Sequence, residues 1–201
     1  MSAAEETAVR QLRADARRNR ERILEAAKEV FAEQGADAQM DDVARRAGVG
    51  VGTVYRHFPN KDVLMGELVT QKFVSIAEQT REALKKDDAW EGLCEVLYWS
   101  AEEMARNGAL RDALRDASAA YEYAEPARLE LEAVTDKLVK RAQRQGELRK
   151  DFHAPELGML IGGVCASMGA PQSSGLDWRR HLEILIDGLR AKPATGRGRA
   201  R

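Results

Sequence analysis

The sequence predicts an all-α fold, in which three N-terminal helices precede a larger helical domain. Apolar residues recur every three or four positions along almost the whole chain, which is the spacing of one helix face. No segment shows the apolar–polar alternation of a half-buried strand. Two short periodic segments near the N-terminus are separated by a glycine-containing turn, and longer amphipathic segments follow them. At 201 residues the chain is long enough to bury a core.

The first helix is predicted from Asn19 to Gly35. Its apolar positions fall at three- and four-residue spacing, namely Ile23, Leu24, Ala27, Val30 and Phe31. Gly35 is placed to end the helix in a left-handed conformation, which glycine adopts at little steric cost.

Two short helices are predicted next, one from Met40 to Ala47 and one from Val51 to Phe58, where Pro59 stops it. Two short helices joined by a tight turn that contains glycine form a helix-turn-helix, whose second helix enters the major groove of DNA. Small Ala44 lets the two helices cross closely, Gly48 takes the left-handed turn, and Val54 fixes the second helix onto the first.

A family resemblance supports this interpretation. The segment ARRAGVGVGTVYRHFPNKDVL (residues 44–64) resembles the DNA-binding segment of the TetR family of bacterial transcription regulators. The upstream ILEAAKEVFAEQGADAQMDDVA resembles that family's first two helices, so the resemblance covers about residues 20–66. We therefore predict a DNA-binding domain over residues 19–66 and an effector-binding and dimerisation domain over 67–190.

Two positions depart from the family pattern. Members often carry Thr or Ser as caps where this chain has Gln39 and Gly50. A missing N-cap costs about 1 kcal/mol, which would loosen a helix end without abolishing the motif.

The exposed face of the second short helix is predicted to meet DNA. Gly52 permits close backbone approach, and Thr53 offers a hydroxyl and a methyl group. Arg56 can reach a guanine edge or a phosphate. The complete predicted set is Arg45, Val51, Gly52, Thr53, Tyr55, Arg56, His57 and Lys61. The resemblance implies that Thr53, Tyr55, His57 and Lys61 contact mostly the DNA backbone. The alternative, that Tyr55 packs between helices and His57 hydrogen-bonds within the fold, stays open.

Six further helices are predicted along the rest of the chain: Asp62–Lys86, Trp90–Arg106, Leu110–Ala117, Glu125–Gln145, Pro155–Gly169 and Leu176–Leu189. The last two are apolar around more of their circumference, and Gly162, Gly163 and Ala166 permit close helix contact. They form either the core of a monomer or, as the resemblance implies, the interface of a homodimer. We expect the homodimer, on a palindromic operator, because one helix-turn-helix reads too few base pairs to be selective.

A small-molecule site is predicted in the 67–190 domain, between the long helix and its neighbours. Its candidates are Phe73, Tyr98, Ala101, Met104, Tyr121, Val134, Cys165 and Met168. A mainly apolar pocket would suit a small hydrophobic or aromatic effector, although each residue could equally be ordinary core. The predicted function is a repressor that such an effector releases from its operator.

Composition and motifs weigh against other classes. No apolar run approaches the roughly 20 residues of a membrane span, and no signal peptide is visible, so we expect a cytoplasmic protein without a membrane partner. Cys94 and Cys165 are far apart and are expected to be reduced thiols. We find no GxSxG, no phosphate loop and no metal-ligand spacing, so no cofactor, metal or catalytic residue is predicted. A helical enzyme is therefore disfavoured, and a protein-binding adaptor with a vestigial DNA face remains the other alternative.

Basic residues are concentrated at the two ends of a chain whose net charge is −1. Six arginines and two acidic residues lie between Arg10 and Arg22, which gives a local charge of +4. The segment Lys192–Arg201 carries four basic residues and no acid. We predict a flexible basic arm over residues 1–18 and a disordered basic tail over 191–201. Either run could face DNA or simply be solvated.

Overall fold

The computed structural model describes residues 3–106, 117–168 and 177–191. Within these ranges the chain is helical, apart from turns and one isolated bridge between Leu148 and Arg190. The elements are α1 (Ala3–Gln34), a 3₁₀ turn (Gly35–Asp37), α2 (Met40–Ala47), α3 (Val51–His57), α4 (Lys61–Ala83), α5 (Ala89–Arg106), α6 (Ser118–Tyr123), α7 (Glu125–Gln145), α8 (Ala154–Met168) and α9 (Trp178–Leu189). The predicted all-α fold is confirmed. None of the described helices combines the length and apolarity needed to cross a membrane.

The contacts divide the chain into two compact units. The first contains α1, α2, α3, the part of α4 up to Gln71, and α6. The second begins at Lys72 and contains the rest of α4 with α5, α7, α8 and α9. Helix α6 therefore lies in the first unit, although the sequence placed it in the 67–190 domain. The helix predicted at residues 110–117 and the basic tail fall almost entirely outside the described residues.

Helix α1 is longer than predicted. It begins at Ala3, so the predicted start at Asn19 was wrong, and the segment expected to be a flexible arm is helical. Residues 3–18 contain no glycine or proline and are rich in alanine, arginine and glutamate, which are strong helix formers. The sequence prediction missed this because the segment has no continuous apolar face.

The core of the first unit is built where α1 packs on α2 and α2 packs on α3. Its most deeply buried large side chains include Ile23, Leu24, Phe31, Val43, Val54, Phe58 and Leu64. Gly35 and Gly48 have φ angles of 60° and 64°, which confirms both predicted left-handed turns. Helix α3 ends at His57 because Phe58, which precedes Pro59, takes an extended conformation that directs its side chain into the core.

Helix α6 approaches α4 very closely within the first unit. A Cβ atom added at Gly66 of α4 would lie 2.6 Å from Cγ and Cδ1 of Tyr123 and 2.7 Å from its Cβ. Ordinary carbon contacts begin near 3.4 Å, so only glycine fits at position 66 in this arrangement. This contact could not be predicted from the sequence, since α6 itself was not predicted.

The core of the second unit forms one apolar cluster in which α8 packs against both α5 and α9. Its larger buried members include Trp90, Leu93, Leu97, Leu138, Phe152, Val164, Leu182 and Ile186. The helices predicted to form this region are observed with boundaries shifted by at most a few residues, and Glu125–Gln145 is observed as predicted.

Candidate nucleic-acid interface

The turn between α2 and α3 is three residues long, Gly48 to Gly50. The Gly48 N–H donates to the Arg45 carbonyl at 3.3 Å, and the Val49 N–H donates to the Ala44 carbonyl at 3.1 Å. These two bonds close the end of α2 around the left-handed glycine. The chain then reverses within three residues and starts α3 at Val51, which is the geometry of a helix-turn-helix.

Two arginines attach α1 to α2. The guanidinium of Arg22 donates to the Ala47 carbonyl at 2.6 Å, which satisfies a carbonyl at the C-terminal end of α2. Arg46 of α2 donates to Glu29 at 2.8 Å and to Glu33 at 2.5 and 3.0 Å, both on α1. Through these bonds α1 fixes the helix that carries the turn.

Gln39 and Gly50, which replace the family's usual Thr or Ser caps, precede α2 and α3. A side chain replaces the missing cap only at the start of α2. There the Asp42 carboxylate accepts from the Gln39 N–H at 3.2 Å, which is the return half of a capping box. At Gly50 no side-chain cap is available, and the Gly50 carbonyl instead accepts from the Thr53 N–H at 2.8 Å. Asn60 caps α4, since its side-chain oxygen accepts from the Val63 N–H at 2.8 Å.

Helix α3 has one buried face and one exposed face. Val54 is fully buried and fixes the helix onto the core. The opposite face presents Gly52 and Arg56 together with Val51 and Tyr55, which are 38% and 46% exposed. Neither Tyr55 nor Arg56 makes a side-chain hydrogen bond or ion pair with any described residue. The alternative in which Tyr55 packs between helices is therefore not what the structure shows.

The other predicted DNA-binding residues surround this face. Thr53 and His57 are half-buried on α3, and the His57 ring lies 6.3 Å from the Phe58 ring. Lys61, at the start of α4, has its Nζ 5.6 Å from the centre of the Phe31 ring. Arg45 is an exposed residue of α2, and it donates to Asp42 at 2.9 Å. All eight predicted residues thus lie on α2, α3 or the first turn of α4.

The predicted effector residues are only partly brought together. Tyr98, Ala101 and Met168 belong to the apolar cluster of the second unit, and the Cys165 thiol lies 2.9 Å from the Met104 sulfur. Phe73 is half-buried on α4 and Val134 is buried on α7, outside that cluster. Tyr121 is different, since it is 40% exposed and lies on α6 in the first unit.

Burial also affects the ionisation of one candidate. It raises the pKa of the Tyr98 phenol, and the nearby acidic Glu183 adds to the rise. At neutral pH the hydroxyl is therefore an uncharged group that can both donate and accept a hydrogen bond.

Arg22, Arg46 and Asn60 support the helix-turn-helix, but the sequence analysis did not identify them. The Arg22–Ala47 and Arg46–Glu33 contacts join positions on different helices, and no local pattern reveals such pairs. Asn60 could have been identified, because an asparagine directly before a helix start is a capping signal.

Comparisons with known proteins agree with this geometry. Residues 23–68 match the family described as "Bacterial regulatory proteins, tetR family". Residues 90–191, a little more than half of the chain, match "Transcriptional regulator SbtR-like, C-terminal domain".

Individual relatives point the same way. The chain is 46% identical over 65 residues to the uncharacterized HTH-type transcriptional regulator TtgW of Pseudomonas putida. These 65 residues are 31% of this chain and 48% of TtgW. It is 34% identical over 143 residues to the HTH-type transcriptional repressor KstR of Mycobacterium tuberculosis, 67% of this chain and 63% of KstR. These matches thus span about half to two thirds of the relatives' lengths.

A solved structure extends the likeness to nearly the whole fold. The TetR transcription regulatory protein from Mycobacterium vanbaalenii shares 35% identity with a TM-score of 0.61, covering 89% of this chain and 99% of that one. The family consists of regulators, so the alternative of a helical enzyme is wrong. With both family matches in place on a helix-turn-helix of this geometry, the chain belongs to the TetR family of bacterial transcriptional regulators.

Proposed function

We propose that this chain is a dimeric repressor that reads a palindromic DNA operator with α3 and is released by a small apolar effector. The observation that carries the proposal is the outer face of α3. It presents Tyr55 and Arg56 to solvent without a described side-chain partner, on a helix that packs on α2, and Arg22 bonds α2 to α1. Polar groups held in this way are available to bases and phosphates in a major groove.

The roles of the individual residues follow from their chemistry. Arg56 can donate in a bidentate manner to a guanine, which is worth about 1–3 kcal/mol of discrimination. The Tyr55 hydroxyl, His57, Lys61 and Arg45 can donate to phosphates and so set the register of α3 in the groove. Gly52 and Val51 lie at the first turn of α3, where a small or apolar surface permits close contact with a thymine methyl. Thr53 offers the same contact through its methyl group.

The last two helices support the dimer. Their surface carries apolar and small residues, with Met159 79% exposed and Ile184 54% exposed. A Cβ atom added at Gly162 or Gly163 would meet nothing within 4 Å, so this face of α8 is open to a partner helix. Two copies joined here would form a four-helix interface, which can place two α3 helices about 34–36 Å apart for successive major grooves.

The apolar core of the second unit supports the effector site. Tyr98, Met104 and Met168 supply adaptable apolar surface, and two buried hydroxyl residues, Ser100 and Thr135, are the neighbours in sequence of Ala101 and Val134. A pocket opened within this core would suit a hydrophobic or aromatic molecule with one or two polar groups. Helix α4 runs through both units, so a ligand that changed its direction would change the α3 spacing. A coupling of about 1–3 kcal/mol would lower operator affinity about 5- to 150-fold. Such a regulator would act in the cytoplasm.

The test is selection of bound duplexes from a random double-stranded DNA pool by the purified full chain. We expect an enriched palindrome, bound by a dimer. Arg56→Ala should then weaken binding about 5- to 150-fold, the equivalent of 1–3 kcal/mol. Tyr55→Phe, which removes only a hydroxyl that has no described partner, should weaken it by a smaller factor without changing stability.

The matched control is Arg144→Ala. Arg144 is an exposed arginine on α7 in the second unit, so its removal changes charge equally but should leave operator affinity unchanged. If no sequence is enriched, or if Arg56→Ala and Arg144→Ala behave alike, the reading role of α3 is refuted and the adaptor alternative is favoured. The dimer is tested separately by sedimentation, in which Ile184→Glu should give a monomer.

A further inference from the structure

The N-terminal half of α1 carries a row of arginines that the helix-turn-helix does not use. At 3.6 residues per turn, Arg10, Arg13, Arg17 and Arg20 lie within about 80° of one another around the helix axis. We refer to Arg10, Arg13 and Arg17 as the arginine row. Because residues 3–34 form one continuous helix, the row is a fixed extension of the helix that supports α2.

The row begins beside the end of α3. Arg20, the next residue on the same face, donates to Glu67 of α4 at 2.7 Å. Its guanidinium carbon also lies 5.4 Å from the centre of the Phe58 ring, and Phe58 directly follows α3. Arg20 therefore joins this face of α1 to α4 and to Phe58, the residue that follows α3, and the arginine row continues along α1 from that point.

The charges in the row are not neutralised by the protein. Arg10 and Arg13 are exposed and form no ion pair with any residue in the described ranges. Arg17 lies 3.9 Å from Glu21, with the two side chains 74% and 66% exposed, and such a surface pair is worth little. By contrast Arg20 and Arg22 are engaged within the unit. The row thus leaves three cations on one face, which is unexpected in a chain of net charge −1.

The spacing of the row matches a phosphate backbone. From Arg10 to Arg17 the helix rises about 10 Å. One strand of B-DNA advances about 3.4 Å per phosphate, so about three phosphates occupy the same length. An arginine can bind a phosphate with two parallel hydrogen bonds, and a preformed helix avoids the entropy cost of ordering a flexible arm.

We infer that the arginine row of α1 is a second DNA-binding surface, which binds phosphates next to the bases read by α3. This inference rests on the proposed function only in taking DNA as the partner. The row contributes affinity and salt dependence and no base selectivity, because phosphates carry no sequence information.

The experiment measures the affinity of the full chain for the selected duplex, and for a scrambled duplex of equal length, at a series of salt concentrations. The variant Arg10→Ala/Arg13→Ala/Arg17→Ala loses three phosphate contacts. Each contact contributes about 0.9 to the slope of log affinity against log salt, so the slope should become shallower by about 2.7 per bound protomer. The reduction should be the same on both duplexes. Replacing the three arginines with lysine should retain the slope, since the charge is retained.

The chain offers a matched control on α7. Lys137, Lys140 and Arg144 are exposed and have the same spacing as the arginine row, but they lie in the second unit. Their replacement by alanine should leave the slope unchanged. Circular dichroism should show equal helix content in all variants, because alanine is a strong helix former.

The outcomes separate this inference from the proposed function. An unchanged slope in the arginine-row variant, or an equal change in the α7 control, overturns the inference. The inference is also overturned if the arginine-row variant binds DNA like the unmodified protein but has lost binding to phosphatidylserine vesicles, because the row would then bind anionic lipid and not DNA. If the pool yields no enriched sequence, the proposed function fails, and a slope reduction on the scrambled duplex still supports the inference.

Discussion

Gly66→Ala tests the close contact between α4 and α6 in the first unit. The added Cβ would lie 2.6–2.7 Å from three atoms of Tyr123, about 0.8 Å inside ordinary contact distance. These atoms are near the α6 backbone, so the side chain cannot simply rotate away. Overpacking of this kind costs about 1–3 kcal/mol. The gain in helix propensity from Gly to Ala, about 0.8–1 kcal/mol, offsets part of it.

The two contributions separate in a double-mutant cycle with Tyr123→Gly, which removes all three contacted atoms. In the unmodified background, Gly66→Ala should lower the free energy of unfolding by up to about 2 kcal/mol. In the Tyr123→Gly background it should raise that energy by about 0.8–1 kcal/mol, since only the propensity gain remains. The coupling energy between the two positions should therefore be about 1–3 kcal/mol.

The assay is urea unfolding followed by circular dichroism, with all variants at one protomer concentration because the stability of the proposed dimer would depend on it. Gly52→Ala is the matched control, since a Cβ at that helical position meets nothing within 4 Å. It should be neutral or slightly stabilising in both backgrounds. Equal effects of Gly66→Ala with and without Tyr123 would refute the contact between α4 and α6.

Three further predictions use the same unfolding assay or simple labelling. Gly48→Ala should destabilise the protein by about 1–2 kcal/mol, because φ of 64° is unfavourable for alanine. Gly50→Ala, at φ −68°, adds no such backbone strain and should cost less, since only the weaker N-cap preference of alanine remains. Burial raises the pKa of the Cys94 thiol from 9.0 to about 11, so it stays protonated in the folded state at pH 9. Iodoacetamide should therefore alkylate it much more slowly in the folded protein than in urea, and equal rates would contradict its burial. The Arg46 hydrogen bond lowers the pKa of Glu33 below 4.5, so its contribution to stability is present above pH 4.5 and is lost as the pH falls through the lowered pKa. Arg46→Ala should accordingly weaken the loss of stability below pH 4.5, and an unchanged pH profile would show that the pair does not act in solution.

The helix-turn-helix could be predicted from the sequence because its determinants are local. The spacing from Ile23 to Phe31 predicted the buried face of α1, and Gly48 marked the turn that the structure shows. The bond from Arg22 to Ala47 could not be predicted, since it joins residues 25 positions apart on different helices. Periodicity shows which face of a helix is buried but not which helix covers it.

Two other predictions from the sequence were wrong, the placement of Tyr121 and the start of α1. Tyr121 was grouped with residues of the C-terminal helices because helix assignments alone do not reveal that α6 belongs to the first unit. The start of α1 was missed because residues 3–18 have helix-forming composition without an apolar face. An isolated segment of that kind is marginally stable, and here it continues a helix whose later turns are already held by packing.

The inclusion of α6 in the first unit limits how this regulator can be recombined with others. A chimera joined within α4 after Gln71 would inherit α1, α2 and α3 but would take its α6 from the other parent. A side chain of another size in place of Tyr123 would then leave a void or a clash against Gly66. A functional exchange of DNA specificity therefore requires two segments, residues 1–71 and the α6 segment, to be moved together.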